Sequence, residues 1–217
     1  MGLLEPHGRH RGGDGPAELA DRDSLAAIPN FRLPRALSAR WQAESDGGLT
    51  HLDLRVEAQS IVADAVVIGS RSAARFGAHY RIVCREDWTT LRLDIETTDG
   101  RTLSVTSDGD GRWSDVGAHR LPIFDGCIDV DLEGSPFTNT LPIRRLDLDQ
   151  TVGAVEFRML YVPFDTFTPF VDRQRYRCTA PRYYRYEAVD GPFTADMTVD
   201  DDGLVVDYPP LFHRLAP

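Results

Sequence analysis

Apolar and polar residues alternate with a period of two from Leu37 onward, and hardly at all before it. Ala39, Trp41 and Ala43 share one face, with Arg40, Gln42 and Glu44 on the other. The same rhythm returns in Leu49 to Val56, in Phe76 to Glu86, where Tyr80, Ile82 and Cys84 fall together, and in Thr90 to Thr97. Such alternation predicts strands with one buried face. Ile61 to Gly69, Arg101 to Ser107, Arg112 to Ser114, Ala154 to Pro163, Arg173 to Ala180, Tyr183 to Val189, Phe193 to Val199 and Leu204 to Tyr208 complete the series. Turn residues separate them: Asp46-Gly47-Gly48, Asp99-Gly100, Asp108-Gly109-Asp110-Gly111, Asp190-Gly191-Pro192 and Asp202-Gly203. About a dozen short strands at hairpin spacing imply an antiparallel all-β fold.

Residues 1–35 read as a flexible N-terminal tail, rich in Gly, Pro, His, Arg and Asp and without a persistent period. Ala17 to Ile28 has the composition of a short helix, and Pro29 and Pro34 break the chain after it. Residues 36–217 form the expected single antiparallel β domain. An internal duplication is one reading of two faint echoes. Tyr80-Arg81-x-x-Cys84 is echoed by Tyr176-Arg177-Cys178, and the Asp108 to Trp113 turn by Asp200 to Tyr208. Shared turn chemistry is the other.

Charge narrows the partners. All 24 basic residues are arginine, and the net charge is −10. Phosphate-backbone binding needs a basic face, so nucleic acid is not an expected partner. Adsorption to anionic lipid headgroups is disfavoured for the same reason. No apolar run approaches the roughly 20 residues that cross a bilayer, and no apolar stretch follows the N-terminal charges as a secretory signal requires. The expected location is the cytoplasm. Cys84, Cys127 and Cys178 are widely spaced and make no C-x-x-C, which suits reduced thiols in strands.

The least generic segment runs from Gly126 to Leu146. A strand there places Cys127, Asp129 and Asp131 on one face and Ile128, Val130 and Leu132 on the other. Gly134-Ser135-Pro136 ends it. Asn139 is placed to cap a short helix with Pro142 in its first turn, and Arg144 and Arg145 on that helix lie within reach of the aspartates. The structural reading is a plug held to the sheet by arginine–aspartate bridges. The functional reading is a polar anchor at a cavity mouth, gripping a sugar or phosphate. Charge networks more often hold structure than bind ligands.

Other chemistry is thin. Trp113, Tyr161 and Tyr176 belong to a large set of strand aromatics that suits either a core or the lining of a cavity. Tyr161 to Phe170 carries Pro163 and Pro169, which break strand pairing, so Phe167 and its neighbours cover a core or gate an opening. The Asp-rich turns lack the Glu of a calcium loop, no zinc spacing occurs, and no metal or cofactor is expected. There is no G-x-S-x-G, P-loop or dinucleotide fingerprint. Asp129 and Asp131 are a carboxylate pair without a nucleophile or metal beside it.

The run DVDLEGSPFTNTLPIRRL, Asp129 to Leu146, resembles the signature of the putative glycolipid-binding family, a bacterial group of all-β proteins. Tyr176-Arg177-Cys178, Tyr183-Tyr184-Arg185-Tyr186 and Asp202 to Phe212 extend the likeness, which covers about Leu37 to Leu215. The resemblance implies a curved antiparallel sheet or half-barrel wrapped round one or two short helices, similar to periplasmic lipoprotein carriers that hold acyl chains in a concave face. It implies no catalytic residues. The leading expectation is non-enzymatic binding of an amphipathic small molecule or glycolipid. Its candidate contacts are Asp129, Asp131, Asn139, Arg144, Arg145, Trp113, Tyr161, Phe167 and Tyr176. The alternative is an enzyme acting on a small polar substrate with Asp129, Asp131 and Arg144 in its pocket. A third reading is a protein-interaction domain using an exposed sheet.

Overall fold

The computed structural model describes residues 30–71 and 74–216. The strands are β1 (Leu37–Ala43), β2 (Leu49–Glu57), β3 (Ser60–Arg71), β4 (Ala74–Arg85), β5 (Thr90–Thr97), β6 (Thr102–Ser107) and β7 (Trp113–Asp115), then β8 (Asp129–Leu132), β9 (Ala154–Val162), β10 (Phe170–Ala180), β11 (Tyr183–Ala188), β12 (Thr194–Val199), β13 (Val205–Tyr208) and β14 (Phe212–Arg214). They form one 14-stranded sheet, ordered β7-β6-β5-β4-β3-β2-β1-β14-β13-β12-β11-β10-β9-β8. The sheet curves but does not close, since β7 and β8 are not paired. The all-β, antiparallel expectation holds with one exception: β8 runs parallel to β9, Asp129 opposite Met159 and Asp131 opposite Tyr161. A parallel pair requires a crossover rather than a hairpin, and residues 133–153 supply it.

That crossover is the plug. A 3-10 turn (Pro136–Asn139) runs directly into a single short helix, α1 (Thr140–Arg145). Pro136 at the start of the turn costs no hydrogen bond there. Phe137 and Leu141 pack into a core with Trp41, Leu52, Tyr80, Ile82 and Trp113 from β1 to β7. Ile143 packs into a second core with Met159, Tyr176, Tyr184 and Met197 from β9 to β12. The plug thus joins two cores inside one curved sheet.

Both repeat echoes fall at the same offset. Tyr80 lies on β4 and Tyr176 on β10, and the Asp-rich turns join β6 to β7 and β12 to β13. The two tyrosines reach the plug from different strands, Tyr80 Oη 2.6 Å from Ser135 Oγ and Tyr176 Oη 2.8 Å from Asn139 Oδ1. The parallel β8 breaks the correspondence.

Packing starts before the boundary expected at residue 35. Phe31 is only 6% exposed and belongs to the second core. Arg35 makes a two-pronged bond to Asp202 at 2.9 and 2.6 Å. The chain from Asn30 to Arg35 therefore straps the domain. The rest of the expected tail, and the helix expected over Ala17 to Ile28, lie outside the described residues. No helix among the described residues is long and apolar enough to cross a membrane.

Candidate functional site

Gly134 follows β8 with φ +77°, a left-handed conformation glycine adopts without strain. A Cβ there would sit 3.2 Å from Val67 Cγ2 and 3.4 Å from Phe76. The turn therefore carries the chain close under β3 and β4, where Gly134 O accepts from Thr50 Oγ1 at 2.7 Å.

The two aspartates of β8 have different partners. Asp129, 1% exposed, accepts from Arg145 Nε at 3.0 Å and Nη2 at 2.6 Å. This is a fork-to-carboxylate pair of the kind that locks orientation, and it fixes α1 against β8. Asp131 accepts from Thr138 Oγ1 at 2.6 Å and from Gln174 Nε2 at 2.7 Å. The same Gln174 nitrogen donates to Asp172 at 2.8 Å. Gln174, 0% exposed, thereby holds two carboxyl groups side by side. Burial raises the pKa of both Asp131 and Asp172, and the Asp190 charge adds to the rise at Asp172.

Arg144 does not join this network. Adjacent helical residues project about 100° apart, so two consecutive arginines cannot serve the same strand. Arg144 donates to the backbone carbonyls of Asp202 and Arg32 at 2.5 and 2.7 Å. Its guanidinium stacks 4.7 Å from the Trp88 ring and 5.1 Å from Phe31, and burial lowers its pKa to about 10. Gly203 makes room for it, because a Cβ there would lie 2.5 Å from Arg144 Cδ. The expected single network of Asp129, Asp131, Arg144 and Arg145 is thus three separate arrangements.

A cavity of about 540 Å³ opens at the end of the sheet where the β1–β2 turn, the end of β3 and the start of β4 meet the ends of β10 to β13. Its wall carries Ile68, Phe76, Tyr161, Phe170, Phe193 and Phe212. Its polar lining includes Asp131, Asp172, Asn139, Ser135, Tyr186 and Tyr208. Phe170 stacks on Tyr161 at 5.1 Å and is 45% exposed, at the rim. Among the described residues Arg71 is the one basic residue of the lining, and it is paired with Glu133.

Of the nine candidates, Asp131, Asn139 and Tyr161 line this cavity. Asn139 is not a side-chain cap for α1 as expected. Its amide donates to Pro136 O at 3.1 Å, and its carbonyl oxygen accepts from Tyr176. Tyr176, 1% exposed, supports the lining from behind. Trp113 is core: 0% exposed, with Nε1 donating to Cys127 O at 2.7 Å. Phe167 is not at the mouth. It packs beside the first core under the Arg101 guanidinium, 5.0 Å from the ring centre. Phe164 is buried in that core, where its backbone N–H donates to Glu133 at 2.6 Å. Asp129, Arg144 and Arg145 hold the plug and lie outside the lining. Sequence reasoning missed Asp172, Gln174 and Tyr208, and held Tyr186 only as one of the many strand aromatics. Their alternation on β10, β11 and β13 was visible, but the crossing of those strands at one mouth was not.

No group of three or more His, Cys, Asp or Glu side chains among the described residues is placed to hold a metal ion. The molecule is an unclosed all-β sheet, plugged along its inside and hollow at one end. Over residues 38–214 the chain matches the family described as "Putative glycolipid-binding", and it belongs to that family. It is similar to a DUF1089-family protein from Pseudomonas aeruginosa known from a crystal structure. That likeness has 37% identity and a TM-score of 0.67, over 81% of this chain and 95% of that one. No curated protein matches it.

Proposed function

We propose that the protein binds an amphipathic ligand, a glycolipid in the sense of its family's description, in the cavity at the open end of the sheet, without catalysis. The observation that carries this reading is the cavity itself: about 540 Å³, with an aromatic and aliphatic wall and a few convergent polar groups, the make-up of small-molecule sites. The apolar part of the ligand rests on Phe76, Phe170, Phe193 and Phe212, and its polar part meets the acidic lining. A plug held by Arg145–Asp129 and Arg144 leaves these arginines no role as a phosphate anchor. The enzymatic alternative loses Asp129 and Arg144 from its pocket in the same way. Three buried free thiols support a reducing, cytoplasmic setting, and the Pseudomonas relative supports a bacterial one.

The test is binding of an environment-sensitive fluorescent lipid probe. Phe170→Asp places a charge on the rim and is expected to weaken binding at least tenfold, while Phe167→Asp leaves it unchanged. Absence of probe binding to the unaltered protein would overturn the reading.

A further inference from the structure

Two tyrosine hydroxyls in the cavity have no work inside the protein. Tyr208 is 4% exposed and Tyr186 9%, so both are more than nine-tenths buried, and both line the cavity. Among the described residues neither hydroxyl has a hydrogen-bond partner. The buried side-chain polar atoms that are both sealed and unpaired are Thr90 Oγ1 and Arg214 Nε, so the two tyrosine oxygens stay open to the cavity. Each hydroxyl is therefore free to donate to, and accept from, whatever occupies the cavity.

Their neighbours define what such a ligand must offer. Tyr186 and Tyr208 share the cavity lining with Asp131 and Asp172. Phenolic O–H groups and carboxylate oxygens thus face one cavity. Among the described residues, Asp131, Asp172, Asp46 and Glu133 all line the same cavity, against one arginine already paired. A phosphate or sulfate headgroup offers acceptors only and carries the wrong charge. An ammonium offers donors only and leaves the phenols unsatisfied. A sugar hydroxyl both accepts and donates, so it can accept a hydrogen bond from a tyrosine O–H and donate one to an aspartate oxygen. Phe170 and Phe193 at the rim add flat apolar faces suited to a sugar ring's C–H side.

Resting on the binding proposal above, we infer that Asp131, Asp172, Tyr186 and Tyr208 form a subsite for an uncharged, hydroxyl-rich headgroup, and that the cavity excludes anionic headgroups. Gln174 is its positioning residue, since its one amide nitrogen sets the spacing of the two carboxylates.

The experiment compares dodecyl maltoside with dodecyl phosphate, below their micelle concentrations, by isothermal titration calorimetry. The chains are equal and only the headgroups differ. Dodecyl maltoside is expected to bind at least tenfold more tightly. Tyr186→Phe with Tyr208→Phe removes two oxygens that hold nothing in the protein, so the fold should be unaffected, as a thermal melt will check. This double variant is expected to lose about tenfold in maltoside affinity and to keep its phosphate affinity. Asp172→Asn is expected to narrow the preference by strengthening dodecyl phosphate binding. Equal binding of both amphiphiles, indifferent to the double variant, would overturn the subsite and leave the amphiphile reading standing. Binding of neither would overturn both.

Discussion

Asp129 illustrates how a buried charge becomes structural. It lies on β8 with both of its oxygens taken by Arg145. Removing the arginine leaves the carboxylate buried and unpaired, a loss on the order of 3 kcal/mol. Arg145→Ala should therefore lower the thermal midpoint by roughly 10 °C in a domain of this size, read by circular dichroism. Arg144→Ala should destabilise by about 2 kcal/mol through lost packing and two lost carbonyl bonds. It should leave probe binding untouched, whereas an anchoring arginine would abolish it. Asp172 carries a pH signature. A carboxyl whose pKa rises on folding holds its proton more tightly in the folded state. Its stabilising contribution is complete below the unfolded pKa, near about 4, and fades as pH climbs through the folded value. Asp172→Asn should thus melt higher than the unaltered protein at pH 7, with the gap shrinking toward pH 4. A gap that widens in acid would contradict the burial of this group. The aspartate pair of β8 and an arginine bridge to it were legible in the sequence, and Arg145 makes that bridge to Asp129, but the partners of Asp131 were not legible. Thr138 precedes the arginines on the same crossover, whereas Gln174 lies far along the chain.

At the scale of elements, alternation served well wherever one face was buried and the other wet. Leu49 to Val56 and Thr90 to Thr97 fall inside β2 and β5 almost residue for residue. It failed where burial was two-sided. Asp129, Val130 and Leu132 are all buried, so the period of β8 carried no news of its parallel pairing. Strand β14 went unseen because Phe212-His213-Arg214 is too short to show a period. Phe170, assigned to a loop, opens β10 and pairs with Tyr161. The strap was missed for a different reason: a lone phenylalanine among polar residues has no periodic face. Phe31 nonetheless sits between two guanidiniums, Arg182 at 4.3 Å and Arg144 at 5.1 Å. Phe31→Ala is expected to cost about 3 kcal/mol, measured by urea denaturation. A cost under about 0.5 kcal/mol would show the strap to be a surface decoration.

Across the whole molecule, a curved sheet of this many strands needs something inside it, since its concavity widens with strand number. The strand aromatics suited either a core or a cavity lining, and Trp41, Trp113, Tyr80 and Tyr176 are core, fully enclosed around the Pro136–Arg145 plug. The hollow remains at one end, where the tyrosines of β11 and β13 meet the Gly134 turn. That cavity is the proposed binding site, and residue-resolved NMR tests it most directly. Dodecyl maltoside, titrated below its micelle concentration, should shift the backbone amides of residues 43–48, 68–71, 131–135, 170–172, 186–188 and 208–212. The Trp113 and Arg144 amides should stay still. Saturable shifts confined to those segments are the predicted result. Shifts spread over the outer face of the sheet, or none at all, would contradict the claim that this cavity is the binding site.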